Sequence, residues 1–254
     1  MNLDALSFYV GITLELILVL LQIKKRFYKS LPIFFAYSFW SLLCDSCIWW
    51  ISKYISHSLF LKIYLIQLSI DTAMIFLILL EIVWGTLRPI HASLSKYSLI
   101  LPTILIALLG LCFWPLSQLI LPGRLNVLGL FLFRLEQTMA ILRVFVFVVL
   151  TACSHLLRMN WKHRELQIAT GFGIYSLVAL TVLFVHSHQP VGINYHWLDF
   201  FNSLSYEVVL GYWVVCFARP EAIREQFSPH MQNLIRSLAE TAHGNLGLLQ
   251  NRKK

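Results

Sequence analysis

Seven apolar runs follow one another along this chain, at positions 6–23, 31–51, 59–84, 97–121, 130–156, 166–186 and 196–217. Each is close to the roughly 20 residues that an α-helix needs to cross a bilayer. In lipid a backbone must satisfy its own hydrogen bonds, so runs of this length fold as helices rather than as open strands. The expected fold is all-α: a polytopic membrane protein, with a seven-transmembrane-helix bundle over residues 1–218. Composition agrees. Charged residues make up 13% of the 254 positions, where a soluble domain carries about 25%, so the lipid bilayer must be the partner of most of the surface.

Lysine and arginine placement orients the bundle, because cytoplasmic loops hold the excess of positive charge. One side collects Lys24, Lys25, Arg26 and Lys29, then Arg88 and Lys96, then Arg158, Lys162 and Arg164, then Arg219, Arg224, Arg236, Arg252, Lys253 and Lys254. The other side has Lys53, Lys62, Arg124 and Arg134. The asymmetry recurs at every loop. It predicts a protein of the cell membrane with its N-terminus outside and its C-terminus in the cytoplasm. The net charge of +8 is spread between spans rather than gathered on one soluble face, which argues against nucleic acid as a partner. The opening MNLDALSFYV lacks the positive region of a cleaved signal peptide, so the first span is expected to stay in the mature protein. The five cysteines lie within or beside apolar spans and do not form a secreted disulfide framework.

Residues 219–254 read as a cytoplasmic juxtamembrane tail. Arg219-Pro220-Glu221 is a helix start, and Met231, Leu234, Ile235, Leu238 and Ala242 recur at helical spacing. The pattern predicts a short amphipathic cytoplasmic C-terminal helix, either lying on the membrane surface or binding a cytoplasmic protein partner.

The run that bears most on function is FLFRLEQTMAILRVFVFVVL, residues 131–150, because it carries Arg134, Glu136 and Arg143. An arginine deep in a membrane helix costs about 2.5–3.5 kcal/mol on insertion scales, so it needs water, a cavity or a partner. Counted at 1.5 Å per residue from the cytoplasmic end of each span, Arg143 lies about 22 Å in, Asp45 about 21 Å, Glu207 about 18 Å and Asp71 about 25 Å. Glu15 is lower, at about 13 Å, and Glu81 at about 10 Å, while Glu136 falls at about 33 Å, by the outer surface. Arg143, Asp45, Glu207, Asp71 and Glu15 thus form an expected intramembrane polar layer. By depth the partners of Arg143 are Asp45 and Glu207, then Asp71. The acids outnumber the arginine, so the rest must be protonated, reach water or hold a cation. Neutral acids locking the bundle and a functional polar pocket both satisfy that requirement.

Smaller groupings carry less. His186, His188 and His196, with Asp199 one turn beyond, form an expected outer cluster. Zinc wants three or four ligands converging tetrahedrally, and His186 and His188 point to different helix faces. Interfacial histidines, a metal site and a pH-responsive cluster therefore stay open as alternatives. Cys44 and Cys47 share a helix face inside an apolar span, where they read as small buried hydrophobes rather than a redox pair. Ala169, Gly171 and Gly173 offer small residues for close helix packing.

The layout is broadly similar to the seven-helix membrane input modules of bacterial sensors, a likeness of architecture that transfers no residues. Span seven has no lysine, so retinal has no attachment point, and no cofactor is predicted. Gly-x-Ser-x-Gly, His-Glu-x-x-His and Walker A stretches are absent, which leans away from an enzyme. The leading expectation is a non-enzymatic receptor, sensory or regulatory membrane module with a polar pocket around Arg143. The alternatives are an ion- or proton-coupled transporter and an intramembrane enzyme acting on lipid.

Overall fold

The computed structural model describes residues 3–51, 54, 57–87, 100–115, 127–154, 163–188 and 194–220. Among these residues the helices are, in order, α1 (Leu3–Lys24), α2 (Pro32–Ile51), α3 (His57–Leu87), α4 (Ile100–Phe113), α5 (Val127–Ser154), α6 (Arg164–His188) and α7 (Asn194–Ala218). The expected amphipathic helix of the tail lies outside the described residues.

Five helices hold stretches long and apolar enough to cross a membrane: Leu6–Lys24, Lys62–Thr86, Arg134–Ala152, Arg164–Val185 and Phe200–Ala218. They make the chain a multi-pass helical membrane protein. The sequence led us to expect seven such spans. The described part of α4 is 14 residues, short of the roughly 20 that a full crossing takes. α2 has 20 residues and carries Asp45 in its second half.

Helix neighbours close a circuit: α1 packs on α2, α2 on α3, α3 on α5, α5 on α6, α6 on α7, and α7 back on α1. α3 also reaches across to α6. α4 stands outside this circuit, against α3 and α5. Its chargeless sequence explains the place, since nothing on it needs shelter from lipid, and Leu111 is 71% exposed. Exposed Leu16, Leu20, Ile66, Val148 and Val208 give the other helices a similar apolar exterior.

α1 ends where Arg26 adopts a left-handed backbone, φ 58° and ψ 36°, an uncommon conformation for a residue with a Cβ. A 3-10 turn over Phe27–Lys29 follows, and Pro32 opens α2, where its missing N–H is not needed. The free N–H groups at that helix start are met from another helix. Glu81 of α3 accepts from Ile33 N at 2.9 Å and Phe34 N at 2.8 Å. The deep acid is thus a cap for α2. Gln22 of α1 donates to Ser38 of α2 at 3.0 Å, a second buried tie at the same end.

Below the bundle centre, Phe34, Phe172, Trp213 and Phe217 form one aromatic plug. Phe34 meets Trp213 edge-on with centroids 5.2 Å apart, and Phe172 meets Trp213 at 5.0 Å. Gly171 makes the plug possible. A Cβ there would overlap the Trp213 indole, and one at Gly173 would overlap the Phe147 ring. The small residues of α6 therefore let α7 and α5 approach closely.

Candidate functional site

Arg143 projects from α5 into the interior and is 5% exposed. Its guanidinium carbon stands over Tyr175 at 5.6 Å from the ring centre and over Phe172 at 6.0 Å. Both rings belong to α6, the helix that packs against this part of α5. Ring faces attract the cation but leave its in-plane N–H groups unused. The buried Nε has no hydrogen-bond partner. Among the described residues, no hydrogen bond or ion pair joins the guanidinium to Asp45, Asp71 or Glu207.

The space beside Arg143 is a cavity of about 390 Å³, walled by α2, α3, α5, α6 and α7. It lies in the half of the bundle away from the C-terminal end of α7, since it is lined by Asn202 and Tyr206 of α7 and by Tyr175 and Leu183 of α6. Phe172 of the aromatic plug lies under Arg143, 6.0 Å from its guanidinium carbon.

No protein-family model, curated protein or solved structure matches this chain. The chemistry of the site has to be read from its own residues.

Asp45 and Asp71 both line the cavity. Asp71 accepts a hydrogen bond from the Trp40 indole at 2.8 Å, which holds one carboxylate oxygen against α2. Glu15, 2% exposed, lies behind the wall. It accepts from Ser41 at 2.8 Å and from Tyr206 at 2.8 Å, and those two hydroxyls are themselves 3.2 Å apart. Ser41 and Tyr206 also line the cavity, so they link it to the buried acid. Glu207 is elsewhere: it accepts from Ser7 of α1 and does not line the cavity. Depth along the span had put Glu207 beside Arg143. Rotation about the α7 axis turns it toward α1 instead.

Two cavity residues escaped the sequence reading. Glu136, expected at the outer surface beside Arg134, lines the cavity and is exposed there. Gln137 lines it too, is 2% exposed, and has neither amide atom paired. The signal was present, because Glu136, Ala140 and Arg143 recur at i, i+4 and i+7 and so share one face of α5. Gln67 and Asn202 each add a side-chain oxygen without a partner.

The side chains of His186, His188, His196 and Asp199 lie outside the described part of the structure. Among the described residues no three His, Cys, Asp or Glu side chains are grouped to hold a metal ion. Cys44 and Cys47 are free thiols.

At the far end of the bundle, two cations hold the last carbonyls of α7. Lys25 Nζ donates to Ala218 O at 2.7 Å and to Arg219 O at 3.0 Å. Arg164 donates to Cys216 O at 2.7 Å and to Arg219 O at 2.8 Å, with its carbon over the Phe27 and Phe217 rings. Basic groups at a helix C-terminus complete its unsatisfied carbonyls and suit its dipole. They tie α1 and α6 to the point where residues 221–254 depart.

Proposed function

We propose that the protein is a non-enzymatic receptor or regulatory membrane module, with seven spans, an outside N-terminus and a cytoplasmic tail. The reading rests on one observation: five helices surround a polar cavity beside a buried arginine whose Nε has no hydrogen-bond partner and which makes no ion pair among the described residues. A charge left unpaired in a membrane interior marks a functional site by default. α7 supports the coupling, because it lines the cavity with Asn202 and Tyr206 and ends in the clamp of Lys25 and Arg164. A change in the cavity that moves α7 moves the root of the tail. The amphipathic sequence pattern from Met231 to Ala242 supports a surface for a cytoplasmic partner.

The acids around the cavity favour a second reading, an ion- or proton-coupled transporter. One comparison separates the two. Full-length protein in liposomes under a pH gradient should show no proton flux beyond empty liposomes. In cell extracts it should capture a partner that a chain lacking residues 229–254 does not. Flux that Asp71→Asn abolishes would establish transport instead, and capture indifferent to the deletion would remove the receptor reading.

A further inference from the structure

We propose that the cavity takes a small zwitterion of the α-amino-acid class, its carboxylate on Arg143 and Gln137 and its ammonium on Asp71 and Glu136. The inference rests on the pocket reading above and names its ligand class.

The unmet hydrogen-bond groups are of two kinds. Arg143 Nε is a buried donor with no acceptor, and both amide atoms of Gln137 are buried without a partner, whichever of them is nitrogen. Arg143 and Gln137 are each more than nine-tenths buried and both line the cavity. Leaving such groups unpaired is unfavourable, and more so for the charged one. They call for an acceptor, and beside a guanidinium that acceptor is an anion. The Tyr175 ring, its centre 5.6 Å from the guanidinium carbon, attracts the cation without supplying a nitrogen or oxygen acceptor for its N–H groups.

The rest of the lining calls for donors. Asp45 of α2, Asp71 of α3 and Glu136, two turns from Arg143 on the same face of α5, line the space, and Glu136 stands within electrostatic reach of both Arg143 and Asp71. Gln67 Oε1 and Asn202 Oδ1 add unpaired acceptors. A simple anion would meet three carboxylates, and a simple cation would leave Arg143 Nε without an acceptor. A molecule carrying both charges satisfies both sets of groups. The volume, about 390 Å³, sits at the low end of the roughly 300–1,000 Å³ of small-molecule pockets. Ile75, Leu180 and Leu183 add an apolar wall for a side chain.

The test uses the full chain in lipid nanodiscs, with thermal unfolding and calorimetry. The probes are the twenty common α-amino acids, each beside its N-acetyl and its C-amide derivative. At least one free amino acid should stabilise the protein saturably, and its two blocked forms should not. Arg143→Gln should weaken that binding about 10- to 100-fold, the worth of a hydrogen bond to a charged group. Arg143→Lys, which keeps the charge and guards against a variant that fails to fold, should weaken it less. A panel with no binder, or a blocked form that binds as well as its parent, would overturn the proposal. So would binding indifferent to both Arg143 variants. Flux and partner capture involve none of these probes, so the receptor reading stands or falls separately.

Discussion

Arg143 faces the ring of Tyr175 at 5.6 Å and, among the described residues, makes no hydrogen bond or ion pair with a carboxylate. That relationship sets how the bundle responds to losing the charge. Breaking a buried ion pair typically costs about 3–5 kcal/mol, because the surviving partner is stranded. Here no hydrogen-bonded carboxylate is stranded. Arg143→Met should therefore cost about 2 kcal/mol, the range of a desolvated cation over an aromatic ring. Glu136, two turns earlier on α5, is within electrostatic reach of Arg143. Combining Arg143→Met with Glu136→Gln should be non-additive by about 0.5 kcal/mol or more. Combining it with Glu207→Gln, which faces Ser7, should be additive. Unfolding in detergent measures all three. A loss above about 3 kcal/mol, recovered by Glu207→Gln, would restore the pairing that depth alone suggested.

Glu81 is expected to matter for the entry of α2. Glu81→Ala leaves the N–H groups of Ile33 and Phe34 without acceptors in a closed interior, at a cost of about 1–3 kcal/mol. Glu81→Gln keeps one acceptor oxygen and should lose less. Equal losses in a thermal melt would mean that the carboxylate acts through its charge rather than as a cap.

Glycine substitutions should divide by contact. A Cβ at Gly171 overlaps the Trp213 indole, so Gly171→Ala should destabilise by about 1–3 kcal/mol through overpacking. At Gly211 a Cβ would meet nothing within 4 Å. Gly211→Ala should be neutral or slightly stabilising, since alanine is the better helix former. Matching melting temperatures for the two variants would remove the close α6–α7 approach as a stabilising feature.

Topology is open to a direct check. A reporter fused after Lys254 should be active only if it is of a cytoplasmic kind. Activity of an external reporter there would require an even number of crossings, with α4 or α2 as the helix that fails to span.

The chain alone determined that helices cross lipid, because runs of apolar residues about 20 long have no other stable form in a bilayer. It also determined height. A fixed rise per residue puts Arg143, Asp45 and Asp71 at similar depth, and all three line one cavity. The described part of α4, which carries no charge, lies outside the helix circuit. What height cannot convey is rotation. In water an amphipathic helix announces its inner face, but a membrane helix is apolar on both its lipid side and its packed side. Which way Glu207, Glu136 or Gln137 points is decided by the neighbours that pack against the helix. Glu207 turned to Ser7, Glu81 to the start of α2 and Arg143 to the ring of Tyr175. Only the assembled bundle sets those angles, because each depends on side chains from another helix far away in sequence.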